Sequence, residues 1–248
     1  MAYGLVLAPS FRKAYAKLER QEQALVERKM VILASDPWHL SFTCYGGEKT
    51  VASLADMLSQ QTEDQLILVD LLDRPRGSMG KLACHQQGRL HRAFSLFLYR
   101  WRGDAIELLV QRRAEGKYHS GGLLANSVCS HPRVGESLEQ AVPRRLTQEL
   151  GVPAKTAQGL RYREAGSFVY RTRFANGLTE YEYDHVFVAE FEGSLEDGTL
   201  APDPEEVAAV AWVDAEELLV DLQAHPSRYA SWFLTAAPMV MRAIAPDG

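Results

Sequence analysis

The stretch from Arg112 to Gly151 constrains this chain more than any other part of it. A basic, glycine-containing segment (112–122) leads into Leu124-Ala125-Asn126-Ser127-Val128-Cys129-Ser130-His131-Pro132. If that run is extended, Cys129 and His131 point to the same side, because successive strand side chains alternate faces. Gly135-Glu136-Ser137 then leads into a helix. Ser137 and Gln140 have capping-box spacing, and Gly151 stands where the helix should end. Pro143 lies inside and removes one backbone hydrogen bond, so a kink or a late start is expected.

Strand signals surround this segment. Leu66 to Asp70 is an apolar run of strand length, and Asp73-Arg74-Pro75-Arg76-Gly77 reads as a turn. Arg92 to Arg100 and Ala105 to Arg112 read as strands joined at Gly103-Asp104. More strands are expected at 166–172, 179–191 and 207–213, with Asn176-Gly177 as a hairpin turn. Asp214 can cap a helix to about Gln223, and a last helix follows Trp232. Strands and helices at these intervals predict an α/β (α+β) class: a mixed-sheet sandwich flanked by helices over 66–248.

Residues 1–65 read differently. Tyr3 to Leu7 suits a short strand, 11–34 an amphipathic helix and 51–57 a second short helix. The opening strand and Phe11 to Leu18 resemble the first half of RelE-type toxins, but the basic strand meander that completes that fold is missing. The expectation is an N-terminal α/β extension packing on the main domain, its role open.

Composition narrows the function classes. A chain of 248 residues can bury one good core, or one core with a small addition. A net charge of -5 argues against a general nucleic-acid binder. No apolar run approaches the length of a membrane span, and the N-terminus shows no charged-then-apolar signal pattern. The cysteines, Cys44, Cys84 and Cys129, include no Cys-x-x-Cys and suit a reducing compartment. A cytoplasmic protein is expected, without nucleic-acid or membrane partners, as a monomer or weak dimer.

Glu180 and Glu182 are two apart on an expected strand, so both leave one face while Tyr181 and Tyr183 leave the other. Two glutamates so placed repel each other unless a cation sits between them.

Asn126, Cys129, His131 and Pro132 resemble the Thr-Asn-x-x-Cys-x-His-Pro active-site motif of type I isopentenyl-diphosphate isomerases, with Ala125 in place of the threonine. Matching stretches run from about Leu68 to Trp232. The resemblance implies a Nudix fold and interconversion of isopentenyl and dimethylallyl diphosphate. It implies Cys129 and Glu182 as proton-transfer residues, with Tyr170 hydrogen-bonded to the glutamate. On residue chemistry a buried glutamic acid can stay protonated; which of Cys129 and Glu182 gives the proton and which takes it stays open, Glu182 with Tyr170 being favoured as donor. Neighbouring cations or a metal are expected to bring the Cys129 thiol into a useful range.

The resemblance also implies Lys81, Arg113, Lys117 and Arg145 on the diphosphate, and Trp232 facing the cationic intermediate. Glu149 matches the glutamate that holds Mg²⁺ against the diphosphate. His85, His91, His131, Glu180 and Glu182 match the ligands of a second divalent ion, Zn²⁺ or Mn²⁺ by donor type. Two departures stand out. The spacer His85-Gln-Gln-Gly-Arg-Leu-His91 is shorter than usual, so the loop carrying His85 should be tighter. Ser120-Gly121-Gly122 replaces a tryptophan-proline-glycine, so the wall over the pocket is expected to be more open. His119, His185 and His225 match nothing and read as surface or packing residues.

The same helix bears on a rival. Nudix hydrolases gather metal with Arg-Glu-x-x-Glu-Glu-x-Gly, whereas this chain has Arg145 and Gln148 at two of the glutamate positions. A hydrolase acting on another diphosphate and a non-catalytic Nudix-fold binding protein are the alternatives.

Overall fold

A computed structural model of the chain describes residues 65–117 and 119–244. The strand, helices and toxin-like stretch expected between Tyr3 and Met57 lie outside them. In order the elements are β1 (Gln65–Val69), β2 (Pro75–Gly80), α1 (Lys81–Gln87), β3 (His91–Arg102), β4 (Ala105–Arg113), β5 (Leu124–Ala125), β6 (Val128–Ser130), α2 (Leu138–Leu150), α3 (Ala154–Gly159), β7 (Arg163–Arg173), β8 (Thr179–Glu190), β9 (Val207–Asp214), α4 (Ala215–Ala224) and α5 (Phe233–Ile244). No helix among the described residues is long and apolar enough to cross a membrane.

The long strand β3 is the axis of a mixed sheet. It runs parallel to β8 and pairs antiparallel with β1, β6 and β4 along its length. Strand alternation sorts its side chains. Phe94, Leu96 and Leu98 bury against Ala141, Val142, Leu146 and Leu150 of α2. Phe97, with Leu108 and Val110 of β4 and Val186 and Val188 of β8, buries against α4 and α5. Each such side chain fully removed from water contributes roughly 1.5–3 kcal/mol. Helices therefore cover both faces, as the sequence pattern predicts.

Helix α2 does not start late. It begins at Leu138 and runs through Pro143. Gln140 Oε1 accepts a hydrogen bond from the Ser137 amide at 3.0 Å, and Ala141, Val142 and Pro143 are all buried. Those gains outweigh the one bond that proline forfeits. Gly151 ends the helix at φ 66°, and a Cβ there would sit 2.2 Å from the Ala201 carbonyl oxygen. Only glycine fits.

Register decides what shares the α5-facing side. His91 pairs with Glu182 across β3 and β8, Tyr170 with Glu182 across β7 and β8, and Ser95 with Cys129 across β3 and β6. The period of two then brings His91, Cys129, Tyr170, Glu180, Glu182 and Asp184 to one face of the sheet.

Candidate active site

Cys129 and Glu182 line a single cleft, whose empty volume out to its mouth is about 440 Å³. Lys81, Arg113, Lys117 and Arg145 line it as well, with Tyr170 and Trp232. Every residue expected at the site is brought into this cleft or beside it.

The imidazoles meet at its floor. Nε2 of His131 lies 3.2 Å from Nε2 of His91 and 2.9 Å from Oε1 of Glu182, and His91 Nε2 is 3.4 Å from that same oxygen. Three lone-pair donors thus crowd one point. Ligand atoms of His85, His91, His131 and Glu182 all fall within 4.8 Å of one another, and those of His85, His119 and Glu180 form an adjoining group. Backbone carbonyls fix the rings: His85 Nδ1 is 2.6 Å from the Lys81 oxygen, and His91 Nδ1 is 2.8 Å from the Arg89 oxygen. With Nδ1 so engaged, Nε2 is the nitrogen turned to a ligand. Imidazoles and carboxylates converging in this way fit a borderline divalent cation.

Burial and neighbouring charge shift these groups in different directions. Burial drives His85 down to about 4 and His131 down to about 3. Burial also disfavours charge on His91, but Cys84 and Glu182 outweigh it and raise His91 to about 10. Burial pushes Glu182 up, yet hydrogen bonds from His131 and His91 hold it well below the usual carboxylate range. Burial and the Glu182 charge raise Glu180 well above that range. One negative and one neutral carboxyl is the arrangement expected when two glutamates share a face. The direction at Glu182 runs against the protonated acid expected there, because two imidazoles sit on it, and Glu180 is the carboxyl that is raised. Tyr170 donates to Glu182 Oε2 at 2.6 Å and lies 3.1 Å from Glu180 Oε2.

Cys129 lies opposite. Burial pushes its thiol up to about 12, although the Arg113 charge pulls the other way. Burial thus outweighs the pull of the neighbouring cations on the thiol. Arg113 Nη1 lies 3.0 Å from the sulfur, and the guanidinium carbon is 5.2 Å from the centre of the Trp232 ring. Asn126 ties these parts together. Its Nδ2 donates to the carbonyls of Leu96 (3.2 Å) and Val128 (2.6 Å), and its Oδ1 accepts from Trp232 Nε1 at 2.9 Å. One buried side chain thereby fixes both the strand bearing Cys129 and the indole.

The cationic end is built on α2 and the loop after β4. Arg145 donates to Glu149 Oε1 through Nε at 2.9 Å and Nη2 at 2.5 Å, and reaches Glu206 at 3.3 Å. Lys117 also pairs with Glu206. Burial lowers Lys117 to about 8, against the pull of Glu149. Glu206 was not singled out in the sequence; it bridges two cations that are far apart along the chain.

Two sequence expectations need amendment. His85 sits on helix α1, not on a loop; Gly88 at φ 59° ends that helix and lets six residues reach His91. Gly88 was the signal for it. His119, expected as a surface or packing residue, packs and also reaches the site: it is 7% exposed, and its Nε2 is 2.8 Å from Glu180 Oε1. It stacks on Phe174 at 4.9 Å and meets Trp232 edge-on at 6.1 Å, so the wall beside Ser120-Gly121-Gly122 is filled, not open. His185, between Asp73 and Glu164, and His225, on Asp221, hold structure elsewhere.

A NUDIX domain is recognised at residues 89–233. The chain is 44% identical over 179 residues to isopentenyl-diphosphate Delta-isomerase 2 of Aromatoleum aromaticum, a match covering 72% of this chain and 87% of that protein. It is 46% identical over 171 residues to the isopentenyl-diphosphate Delta-isomerase of Burkholderia multivorans, covering 69% and 89%. The crystal structure of DR0079 from Deinococcus radiodurans has a TM-score of 0.55 at 21% identity over 73% of this chain and 99% of its own, a likeness of fold. The chain belongs to the NUDIX-domain family of isopentenyl-diphosphate Delta-isomerases.

Proposed function

We propose that this protein is an isopentenyl-diphosphate Delta-isomerase, converting isopentenyl diphosphate to dimethylallyl diphosphate by protonation and deprotonation. The observation that carries the reading is that Cys129 and Glu182 face one buried cleft with four basic side chains on its lining. Moving a double bond requires a proton delivered to one alkene carbon and another removed nearby. An unactivated alkene is a very poor base, so the site must exclude water and shelter positive charge. A thiol and a carboxyl group in the same cleft suit the two transfers, with Tyr170 orienting Glu182 through its 2.6 Å bond. The Trp232 indole offers a π face to the developing cation, worth roughly 2 kcal/mol or more when desolvated.

Arg113, Arg145, Lys81 and Lys117 bind the diphosphate in this reading, the guanidinium forks matching its oxygens. Glu149, beside Arg145, would hold Mg²⁺ with the diphosphate, since magnesium takes one or two carboxylates plus phosphate oxygens. His85, His91, His131, Glu180 and Glu182 would hold a Zn²⁺ or Mn²⁺ ion, which would supply fixed positive charge between the two glutamates. Residues 66–248 carry the activity and 1–65 form an added segment. Three cysteines without a paired motif fit a cytoplasmic setting, and the protein acts as a monomer or weak dimer.

Arg145 and Gln148 argue against hydrolysis: they stand where a hydrolase needs carboxylates, and Arg145 is engaged with Glu149. Incubation with isopentenyl diphosphate in deuterated water tests the reading. Deuterium should enter the product, and Cys129→Ala and Glu182→Gln should each abolish its entry. Full exchange in Cys129→Ala and Cys129→Ser proteins, or inorganic phosphate release in place of exchange, would sink the assignment.

A further inference from the structure

We propose that His119 is a specificity-determining wall residue, closing the cleft so that it accepts a five-carbon diphosphate and rejects one with a longer alkyl branch. The inference rests on the isomerase reading and adds a residue to it.

The loop between β4 and β5 is built to aim this ring inward. Ser120 has φ 51°, a left-handed conformation uncommon for a non-glycine residue, and Gly122 has φ 73°. A Cβ on Gly121 would lie 2.6 Å from the Glu115 carbonyl oxygen, so the chain passes itself too closely for any side chain there. The Arg113 amide donates to the Leu123 carbonyl at 3.0 Å and the Gly122 amide to the Arg113 carbonyl at 3.1 Å, which closes the loop. Bulk has thus been removed from 120–122 while an imidazole has been placed one residue earlier.

That imidazole is held from three directions. Phe174 stacks on it with ring planes 17° apart, and Trp232 meets it at 81°. Glu180 holds its Nε2 at 2.8 Å. Arg113 Nη2, 3.5 Å from the His119 carbonyl oxygen, couples the loop to the guanidinium that touches Cys129. His119, Trp232 and Cys129 all line the cleft. The alkyl tail must lie between the sulfur and the Glu182 carboxyl, which leaves the His119–Trp232 corner as the boundary an extra carbon would meet.

The test compares isopentenyl diphosphate with its homologue bearing ethyl in place of methyl at the branched carbon, using metal-loaded full-length protein. The readout is the ratio of kcat/KM for the two. One methylene in a closed apolar pocket is worth about 10–200-fold in such a ratio. His119→Ala should lower the discrimination about tenfold or more. His119→Phe keeps the aromatic ring but loses the bond to Glu180. It should keep the discrimination even if kcat falls. Unchanged discrimination in His119→Ala overturns the proposal, as does equal loss in both variants. If His119→Ala does not fold, a His119→Phe protein that loses discrimination overturns it and one that keeps it supports it. Absence of turnover in the unmodified protein would instead sink the isomerase reading itself.

Discussion

Replacing Asn126 by alanine should damage stability and turnover together, because one side chain serves both. Asn126 is fully buried and makes three hydrogen bonds: to the carbonyls of Leu96 and Val128 and from the Trp232 indole. Each buried bond contributes about 1 kcal/mol net, and a stranded buried donor such as the indole N–H costs about 1–3 kcal/mol. The sum for Asn126→Ala is a loss of roughly 3–5 kcal/mol. For a chain of this size that lowers the thermal midpoint by roughly 6–20 °C. Urea unfolding followed by tryptophan fluorescence measures it, the expected sign being a lower midpoint at unchanged slope. With the indole untethered beside Cys129, kcat should fall more than KM rises. Asn126→Asp is the shape control. It keeps an acceptor for the indole but turns a carboxylate towards two carbonyls, so near neutral pH it should be no more stable than the alanine variant. A loss under about 1 kcal/mol with unaltered kinetics would refute the reasoning, because it would mean the three bonds are replaced at no cost by water or repacking.

The remaining expectations concern charge and metal. Burial raises the Glu136 carboxyl, but bonds from Arg144 and from the Arg133 amide outweigh it and hold the group below its usual value. A depressed folded value means its stabilisation is present above the unfolded pKa of about 4.3 and is lost as pH falls through the folded one. Glu136→Gln should therefore lower stability by about 1 kcal/mol at pH 7, and by less at progressively lower pH; an equal loss at pH 7 and pH 3 contradicts this. Adding Zn²⁺ or Mn²⁺ to chelator-stripped protein should raise its unfolding free energy by about 2.7 kcal/mol at one hundred times the dissociation constant. His131→Ala should abolish most of that gain, and an equal gain in the variant would show that the ion binds elsewhere.

Local sequence determined a good deal. Strand-like runs marked β3, β4 and β8, and Asp214 announced α4 by accepting from the amides of Glu216 and Glu217. Ser137, Gln140 and Gly151 bounded α2 because caps act within one turn. The motif around Cys129 marked one wall of the cleft, and the Glu180–Glu182 spacing put two acids on one face. These signals are legible because the forces behind them act between near neighbours in the chain. The short strands β5 and β6 and the helix α1 were not legible, since pairing with β3 and β4 and packing around Cys84 stabilise them.

What the sequence left open, only the folded chain decided. Which glutamate is charged depends on His91 and His131, 91 and 51 positions before Glu182, and on a register that no local pattern fixes. His119 read as a surface or packing residue, and only the closed loop set it between Phe174, Trp232 and Glu180. Glu206 gained its partners only when β9 returned to β4 and carried it to Lys117 and Arg145. Burial and charge pairing belong to the whole assembly of strands, so the protonation and shape of the cleft were settled by tertiary contacts and not by the residues taken in order.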